Sequence, residues 1–167
     1  MQTIASKIFP AVVVVLIGAL AYFTLFSDGL GQAPDIKVTN NQGEEINLSK
    51  PMKPVLVNFW ATTCPTCISE MPDMAAMKNE LGDRFELVTV SMQYDPEEQV
   101  KKFIASNPFP FVFVHDRDGS IAKAFGDILL TPTSFLIAPN GSIVYQHIGV
   151  IHFDQVTERI KQMSPQL

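Results

Sequence analysis

Cysteine and positive charge are both scarce in this sequence. Its 167 residues include two cysteines, Cys64 and Cys67, which excludes a disulfide-rich scaffold and a four-cysteine zinc ribbon. Twelve lysines and arginines stand against 17 aspartates and glutamates, so the formal net charge is -5. The basic residues form no cluster that would bind a nucleic acid. Internal repeats and low-complexity tracts are also lacking, and the length fits one domain with an appendage.

Charge is absent altogether from one long segment. Residues 8–26 read IFPAVVVVLIGALAYFTLF. A helix of this length spans about 28 Å, close to the hydrocarbon core of a bilayer. Lys7 precedes the segment whereas Asp28 and Asp35 follow it, and positive charge stays on the cytoplasmic side. We therefore expect a membrane anchor whose N-terminus is cytoplasmic.

This anchor divides the chain into four predicted parts. They are a cytoplasmic N-terminus at 1–7, a transmembrane anchor or uncleaved signal at 8–26, a linker at 27–35 and a domain at 36–167. The alternative is a cleaved signal peptide, because Ala19-Leu20-Ala21 forms an A-x-A site. The apolar run continues past that site, which favours the anchor. Either way the domain is expected in the periplasm or an equivalent extracytoplasmic space, the anchor being a single pass through the inner (cytoplasmic) membrane.

The remaining sequence predicts a mixed α/β domain. The predicted strands lie at 36–39, 44–48, 54–60, 85–92, 111–114, 134–138 and 142–149. Helices are predicted at 65–81, from Asp95 onward, at 120–125 and from Phe153 to Met163. Asp95 is the predicted N-cap of the second helix, with Pro96 at its first position and Glu98 completing a capping box.

The two cysteines flank Pro65-Thr66, directly after a strand and at the start of a helix. Unsatisfied N–H groups and the helix dipole favour an anion there, which lowers the pKa of a thiol, commonly to roughly 3.5–7.5. Cys64 is therefore the predicted exposed nucleophile, and Cys67, one turn further on, resolves the mixed disulfide. A structural staple is disfavoured because so small a loop removes little chain entropy. Metal or copper handling remains the alternative, although zinc usually needs four ligands.

The stretch VLVNFWATTCPTC at 55–67 resembles the active-site stretch of the thioredoxin superfamily. It is most similar to the membrane-anchored, periplasm-facing oxidoreductases of the TlpA, ResA and CcmG type. Glu70 and the stretch TPTSFLI at 131–137 carry the same resemblance, which covers about 36–163. It implies a thioredoxin-like fold, with a central mixed sheet flanked by helices and an N-terminal β-hairpin extension. It also implies a protein thiol–disulfide oxidoreductase with a CxxC motif.

The resemblance assigns roles to residues near the cysteines. Pro132 matches the superfamily's cis-proline, which faces the cysteine pair and helps to hold a substrate strand, and Thr131 should lie beside the sulfurs. Helical side chains lean toward the N-terminus, so Glu70 should point toward Cys67. There it would accept or relay the proton of Cys67. The alternative is a solvated glutamate on the helix surface.

Other positions depart from the superfamily or allow two interpretations. Asn58 stands where thioredoxin has an aspartate; an amide is no base, so proton transfer would fall to Glu70 or to water. Asn58 is otherwise a hydrogen-bonded strand residue. Trp60 either shields the disulfide or is a core aromatic residue. Thr63 replaces the usual tryptophan before the first cysteine, which should alter the surface that docks a partner. Pro72 matches the family's helix kink.

The three histidines, His115, His147 and His152, are scattered along the sequence. One of them could join the cysteines as a copper ligand, as in the copper-delivery branch of the superfamily. That branch has three residues between its cysteines, whereas two lie between Cys64 and Cys67. Structural or exposed histidines are the simpler expectation.

The resemblance favours a membrane-tethered disulfide reductase that acts on exported proteins, with apocytochrome c as one candidate. No organic cofactor and no metal is expected, since the Cys64–Cys67 disulfide itself carries two electrons. The expected partners are protein dithiols or disulfides and a separate membrane electron donor, such as a thiol-transporting membrane protein. The alternatives are a copper-handling chaperone, a non-catalytic binding module and, within the same class, a disulfide oxidase or isomerase.

Overall fold

The computed structural model describes residues 30–39 and 45–164, together with the isolated positions Val13 and Gly18. The anchor predicted at 8–26 thus lies outside the described residues, apart from those two positions. Within the described part of the chain, no helix has both the length and the apolarity that crossing a membrane requires.

The elements follow the predicted order. The strands are β1 (Lys37–Thr39), β2 (Glu45–Asn47), β3 (Val55–Trp60), β4 (Glu86–Ser91), β5 (Val112–His115), β6 (Thr133–Ile137) and β7 (Ile143–Ile148). The helices are α1 (Pro65–Leu81), α2 (Glu97–Ser106), α3 (Ser120–Ala124) and α4 (Phe153–Met163). The predicted bounds of the first and last helices are confirmed, and each strand bound differs from its prediction by at most one residue. A short 3-10 turn at Gly82–Arg84 follows α1 and was not predicted.

The central sheet is mixed, as the resemblance implied. Its strand order is β5-β4-β3-β6-β7. Strands β3, β4 and β5 are parallel, whereas β6 runs antiparallel to both of its neighbours, β3 and β7. Strands β1 and β2 form a separate antiparallel pair, which is the predicted hairpin extension.

Both faces of the sheet are covered, and β3 shows this best because all six of its residues are buried. Alternate side chains of a strand point to opposite faces. Leu56 and Trp60 belong to the core that contains the buried side of α1 and α4. Val57 and Phe59 belong to a second core, formed with the hairpin and α3. A strand buried on both faces reads as a continuous apolar run, which is why its sequence was informative.

The segment before β1 corrects one prediction. Leu30 N–H donates to Ile143 C=O at 2.7 Å, and Ala33 N–H donates to Gly141 C=O at 2.9 Å. The described part of the predicted linker at 27–35 therefore pairs with the start of β7 and belongs to the domain. Its polar, glycine-containing composition gave no sign of this pairing, because the hydrogen bonds are made by the backbone.

The start of α2 corrects another. The helix begins at Glu97, Pro96 precedes it in an extended conformation, and no side chain caps it. The N-cap predicted at Asp95 and the capping box with Glu98 are therefore wrong. The Asp95 carboxylate accepts hydrogen bonds from the backbone N–H and the hydroxyl of Thr62 instead. The Asp95 carboxylate is therefore bonded to the turn after β3 and is not available to cap the helix.

Candidate active site

The two cysteines form a disulfide at the N-terminus of α1. Their sulfurs are 2.08 Å apart and their Cα atoms 5.3 Å apart. Cys64 is the N-cap residue, and its Sγ accepts a hydrogen bond from the Cys67 N–H at 3.2 Å. Pro65 occupies the first helical position, where its missing N–H has no cost. Cys64 is half-buried and Cys67 is fully buried, so a partner has access to Cys64 first.

A proline loop faces the disulfide. The Thr131–Pro132 peptide bond is cis, as the resemblance implied. The carbonyl oxygen of Thr131 lies 3.6 Å from Cys64 Sγ, so Thr131 does lie beside a sulfur. The Pro132 carbonyl accepts a hydrogen bond from Gly149 N–H at 2.8 Å, which ties the loop to the chain after β7.

Glu70 is buried rather than solvated, which excludes the surface alternative. The residue is 2% exposed. One oxygen accepts a hydrogen bond from Asn58 Nδ2 at 3.0 Å, and the other accepts from Ile151 N–H at 3.3 Å. Burial raises the pKa of the Glu70 carboxyl above its ordinary value, and these two hydrogen bonds offset part of that rise. A buried carboxyl with a raised pKa is suited to hold and release a proton.

Asn58 lies in the middle of β3, fully buried on the face that α1 covers. Its amide donates to Glu70 and also to Ser134 Oγ, each at 3.0 Å. Ser134 is its register partner on β6. Asn58 is therefore a hydrogen-bonded strand residue, and its partner is the one buried carboxyl of α1. Among the described residues, no donor reaches Asn58 Oδ1.

Trp60 and Thr63 lie on either side of the turn into α1. Trp60 is fully buried in the same core as Cys67, with its ring centroid 4.9 Å from that of Phe103 and 6.0 Å from that of Phe113. It is a core aromatic residue beneath the disulfide. Thr63 is exposed beside Cys64, on the surface that a partner would touch.

The histidines lie in two places. The rings of His147 and His152 have centroids 4.5 Å apart, and His115 lies on β5 with both ring nitrogens buried. Within the described residues, no three side chains among histidine, cysteine, aspartate and glutamate are grouped closely enough to hold a metal ion. No contact in the described chain joins a histidine to the cysteine pair.

An apolar surface surrounds the proline loop. It consists of Leu129 and Leu130 before Thr131, and of Ile148 and Val150 at the end of β7. These four side chains are between 44% and 83% exposed. Such a patch beside a reactive centre is typical of a protein-docking site.

Sequence reasoning missed four residues that this site uses. They are Thr62 and Asp95, which join two loops, and Ser134 and Ile151, which complete the surroundings of Asn58 and Glu70. Ser134 could have been found from the strand register, since it lies opposite Asn58. The other contacts join distant segments or use backbone atoms, and no local pattern marks them.

This fold and this site define a class. A disulfide at a helix N-terminus, opposed by a cis-proline and backed by a buried carboxyl on a five-stranded mixed sheet, is the arrangement of a thioredoxin-fold thiol–disulfide oxidoreductase. The family model described as Redoxin matches residues 30–160, and the chain belongs to this family.

Comparison with known proteins agrees with that class. The chain is 30% identical over 172 residues to thiol-disulfide oxidoreductase ResA of Bacillus cereus, which covers 95% of this chain and 96% of the relative. It is 28% identical to sporulation thiol-disulfide oxidoreductase A of Bacillus subtilis, over 87% of this chain and 92% of the relative. The crystal structure of StoA from Bacillus subtilis superposes with a TM-score of 0.64 at 29% identity, covering 75% of this chain and 97% of that one. The predicted membership of the thioredoxin superfamily, with ResA-like relatives, is thereby confirmed, as is the prediction of a protein thiol–disulfide oxidoreductase.

Proposed function

We propose that this chain is a membrane-tethered disulfide reductase that acts on exported proteins through Cys64 and Cys67. The asymmetry of the cysteine pair is the observation that supports the proposal. Cys64 is half-exposed at the end of a helix, whereas Cys67 is fully buried. In the reduced protein, the Cys67 N–H that now points at Cys64 Sγ would stabilise a thiolate at that position.

The reaction runs in two exchanges. The Cys64 thiolate attacks one sulfur of the substrate disulfide, forms a mixed disulfide and releases the other substrate sulfur as a thiolate. Cys67 then loses its proton and attacks Cys64 Sγ, which forms the Cys64–Cys67 disulfide and releases the second substrate thiolate. Two electrons have passed from the enzyme dithiol to the substrate. The Cys64–Cys67 disulfide in the structure is the oxidised form that these two exchanges would leave.

Glu70 takes the proton that Cys67 loses. The carboxyl lies one helical turn after Cys67, is buried, and has a raised pKa because of that burial. Asn58 does not compete for the proton, since an amide is no base at neutral pH. Its hydrogen bond keeps one carboxylate oxygen in place.

Protein substrates suit the surface around the disulfide. Thr131 and Pro132 form one wall beside Cys64, and the apolar side chains of Leu129, Leu130, Ile148 and Val150 extend that wall. The substrates proposed are disulfides of exported proteins, with the cysteine pair of apocytochrome c as a candidate. The electrons come from a separate membrane donor, because an oxidising compartment does not keep thiols reduced. Neither an organic cofactor nor a metal takes part.

The reduction potential of the Cys64–Cys67 pair tests the direction of electron flow. The full chain is equilibrated against defined thiol–disulfide buffers, and the oxidised fraction is measured after acid quenching. We expect a value near or below that of thioredoxin, about -270 mV. A value near about -120 mV would contradict the proposed reductase and indicate that the protein forms disulfides in its substrates instead. The Cys67→Ser variant, which cannot resolve, should accumulate a mixed disulfide with the substrate, whereas Cys64→Ser should not.

Membrane attachment through 8–26 is tested separately. The apolar run is long enough to cross a bilayer, and Lys7 lies on its N-terminal side. We expect the chain to stay with the membrane fraction after an alkaline carbonate wash, and its domain to be accessible to protease from the extracytoplasmic side. Release of a chain that begins near residue 22 would establish a cleaved signal peptide instead.

A further inference from the structure

We infer that Asp95 is a positioning residue for thiol–disulfide exchange: it holds the turn that places Cys64 at the N-terminus of α1. The inference depends on the exchange chemistry of the cysteine pair and not on the direction of electron flow. Asp95 is the residue that the helix-start pattern wrongly predicts as the N-cap of α2, and its carboxylate binds Thr62 instead.

The Asp95 carboxylate is buried and is committed to one residue. Asp95 is 2% exposed. One of its oxygens accepts from Thr62 N–H at 2.6 Å, and the other accepts from the Thr62 hydroxyl at 2.5 Å. None of the ion pairs among the described residues involves Asp95. Burying a carboxylate without a counter-ion is costly, so these two short hydrogen bonds are its principal compensation.

Thr62 lies at the centre of the turn that leads into the active site. Strand β3 ends at Trp60 and α1 begins at Pro65, and Cys64 N–H donates to Ala61 C=O at 3.1 Å across the turn. Two donors of Thr62 are therefore fixed to the loop that follows β4. The side chain of Gln99 lies 3.3 Å from the same hydroxyl and belongs to α2. Thr62 therefore attaches the turn to the loop after β4 and places it beside α2.

The position of this turn matters to the chemistry of Cys64. The sulfur receives the Cys67 N–H only while Cys64 keeps its extended N-cap conformation, with φ -100° and ψ 99°. Thr63 is exposed and offers no buried side chain that would hold the turn from the other side. Loss of the Asp95 contacts should therefore let Cys64 move away from the helix N-terminus, and its thiolate would lose stabilisation.

Two other roles of Asp95 predict different results. As a negative charge near Cys64, it would destabilise the thiolate, so its removal would lower the pKa of the Cys64 thiol. As a purely structural residue, it would affect unfolding and leave the thiol unchanged. Positioning alone predicts that removal raises the pKa of the Cys64 thiol.

The test measures the reactivity of Cys64 directly. In the full chain with Cys67→Ser, so that Cys64 is the one thiol, the rate of alkylation by iodoacetamide is followed from pH 4 to pH 10. We expect Asp95→Ala and Thr62→Val each to move the midpoint of this profile upward and to slow alkylation at pH 6 about three- to tenfold. Asp95→Asn should have a smaller effect, because its amide oxygen still accepts from the Thr62 N–H.

Asp116→Ala is the matched control. Asp116 is also buried, at 1% exposure, and its carboxylate accepts from two backbone N–H groups, those of Ile121 and Ala122 in α3. Its loss should lower stability to urea without moving the Cys64 profile. A downward shift in both Asp95 variants, with Thr62→Val unchanged, would overturn the inference in favour of the charge. Lower stability with an unchanged profile in Asp95→Ala and Thr62→Val would overturn it in favour of a structural role.

Discussion

Glu70 and Asn58 form a buried polar pair in the core beneath the disulfide. The Asn58 amide supplies one hydrogen bond to the carboxyl, and the Ile151 backbone supplies another. Neither donor carries a charge, so the carboxyl is hydrogen-bonded but not neutralised. Burial raises the pKa of the Glu70 carboxyl, and the two hydrogen bonds offset part of that rise. The pair therefore gives the site a proton-binding group without any nearby cation.

Stability should depend on pH through Glu70. Its pKa is higher in the folded chain than in the unfolded chain, so between these two values the folded state binds more protons. The stabilisation that the protonated Glu70 carboxyl contributes is fully present below about pH 4.3. It is lost as the pH rises through the pKa of Glu70 in the folded chain. In urea unfolding of the oxidised protein, the wild type should lose stability relative to Glu70→Gln as pH rises from 4 to 7. The slope cannot exceed about 1.4 kcal/mol per pH unit for one proton.

Asn58→Asp is the matched control for this dependence. It places a second carboxyl 3.0 Å from Glu70 without changing side-chain size. Two carboxylates at that distance cannot both ionise, so the variant should be about 3 kcal/mol less stable at pH 7 and should recover as pH falls. Adding Glu70→Gln should remove most of the loss.

A difference in stability between wild type and Glu70→Gln that stays constant with pH would contradict the prediction for Glu70. It would show that the Glu70 carboxyl ionises as freely in the folded chain as in the unfolded chain.

The roles of single residues could be predicted from the sequence where a short motif contains all the residues involved. The cysteines, Pro132 and the cis peptide bond before it followed from short motifs and the resemblance they carry. Asp95 was misassigned because Asp-Pro-Glu-Glu is a strong helix-start pattern, and its true partner, Thr62, lies 33 residues away in the sequence. A contact across two loops leaves no periodic signal.

Elements were predictable where their ends carry signals. Helix α1 begins at Pro65 and ends before Gly82, and both bounds were read from these residues. Strand bounds were less certain because apolar residues continue into the adjoining loops, as at Pro54 and Phe111. The pairing of 30–33 with β7 was missed, since backbone hydrogen bonds do not depend on side-chain pattern.

Removing the segment before β1 should weaken the domain. Leu30, Gly31 and Ala33 make three backbone hydrogen bonds to residues 141–143, and the Ala33 side chain is buried. We expect a chain that begins at Pro34 to be about 1–4 kcal/mol less stable than one that begins at Ser27. The two chains are compared by urea unfolding in the oxidised state. Equal midpoints would mean that this pairing contributes nothing to stability.

Among the described residues, four of the exposed large apolar side chains lie together near the redox centre, while Leu30 lies at the start of β7. Leu129, Leu130, Ile148 and Val150 lie beside the proline loop, whereas Met52 lies before β3, at the other end of the sheet. The fold brings together two segments of the chain that no single stretch of sequence would have combined. The patch could therefore not be predicted from the sequence, because it forms where the sheet brings the end of β7 next to the loop before β6.

Leu130→Asp should impair protein substrates selectively. Loss of an apolar contact of this size should lower kcat/KM for a disulfide-bonded protein such as insulin about fivefold or more. The rate with a small disulfide, oxidised glutathione, should stay within about twofold, since it does not cover the patch. Met52→Asp changes a side chain that is 99% exposed and remote from the cysteines, so it should behave as wild type. Equal losses with both substrates would indicate damage to the cysteine pair rather than to docking.

The pairing of residues 30–33 with the start of β7 also determines where an N-terminal tether joins the domain. Ile143 lies opposite Ile137, where β6 ends, whereas Cys64 follows the end of β3, where β6 begins. The chain therefore joins the domain at one pole and exposes its disulfide at the other, a strand's length or about 20 Å away. A chain held through its N-terminal segment, on a bilayer or on a sensor chip, would be attached to the domain on the side opposite the disulfide. The attachment point and the disulfide would then be separated by the length of the sheet, so the support would not be fixed next to Cys64.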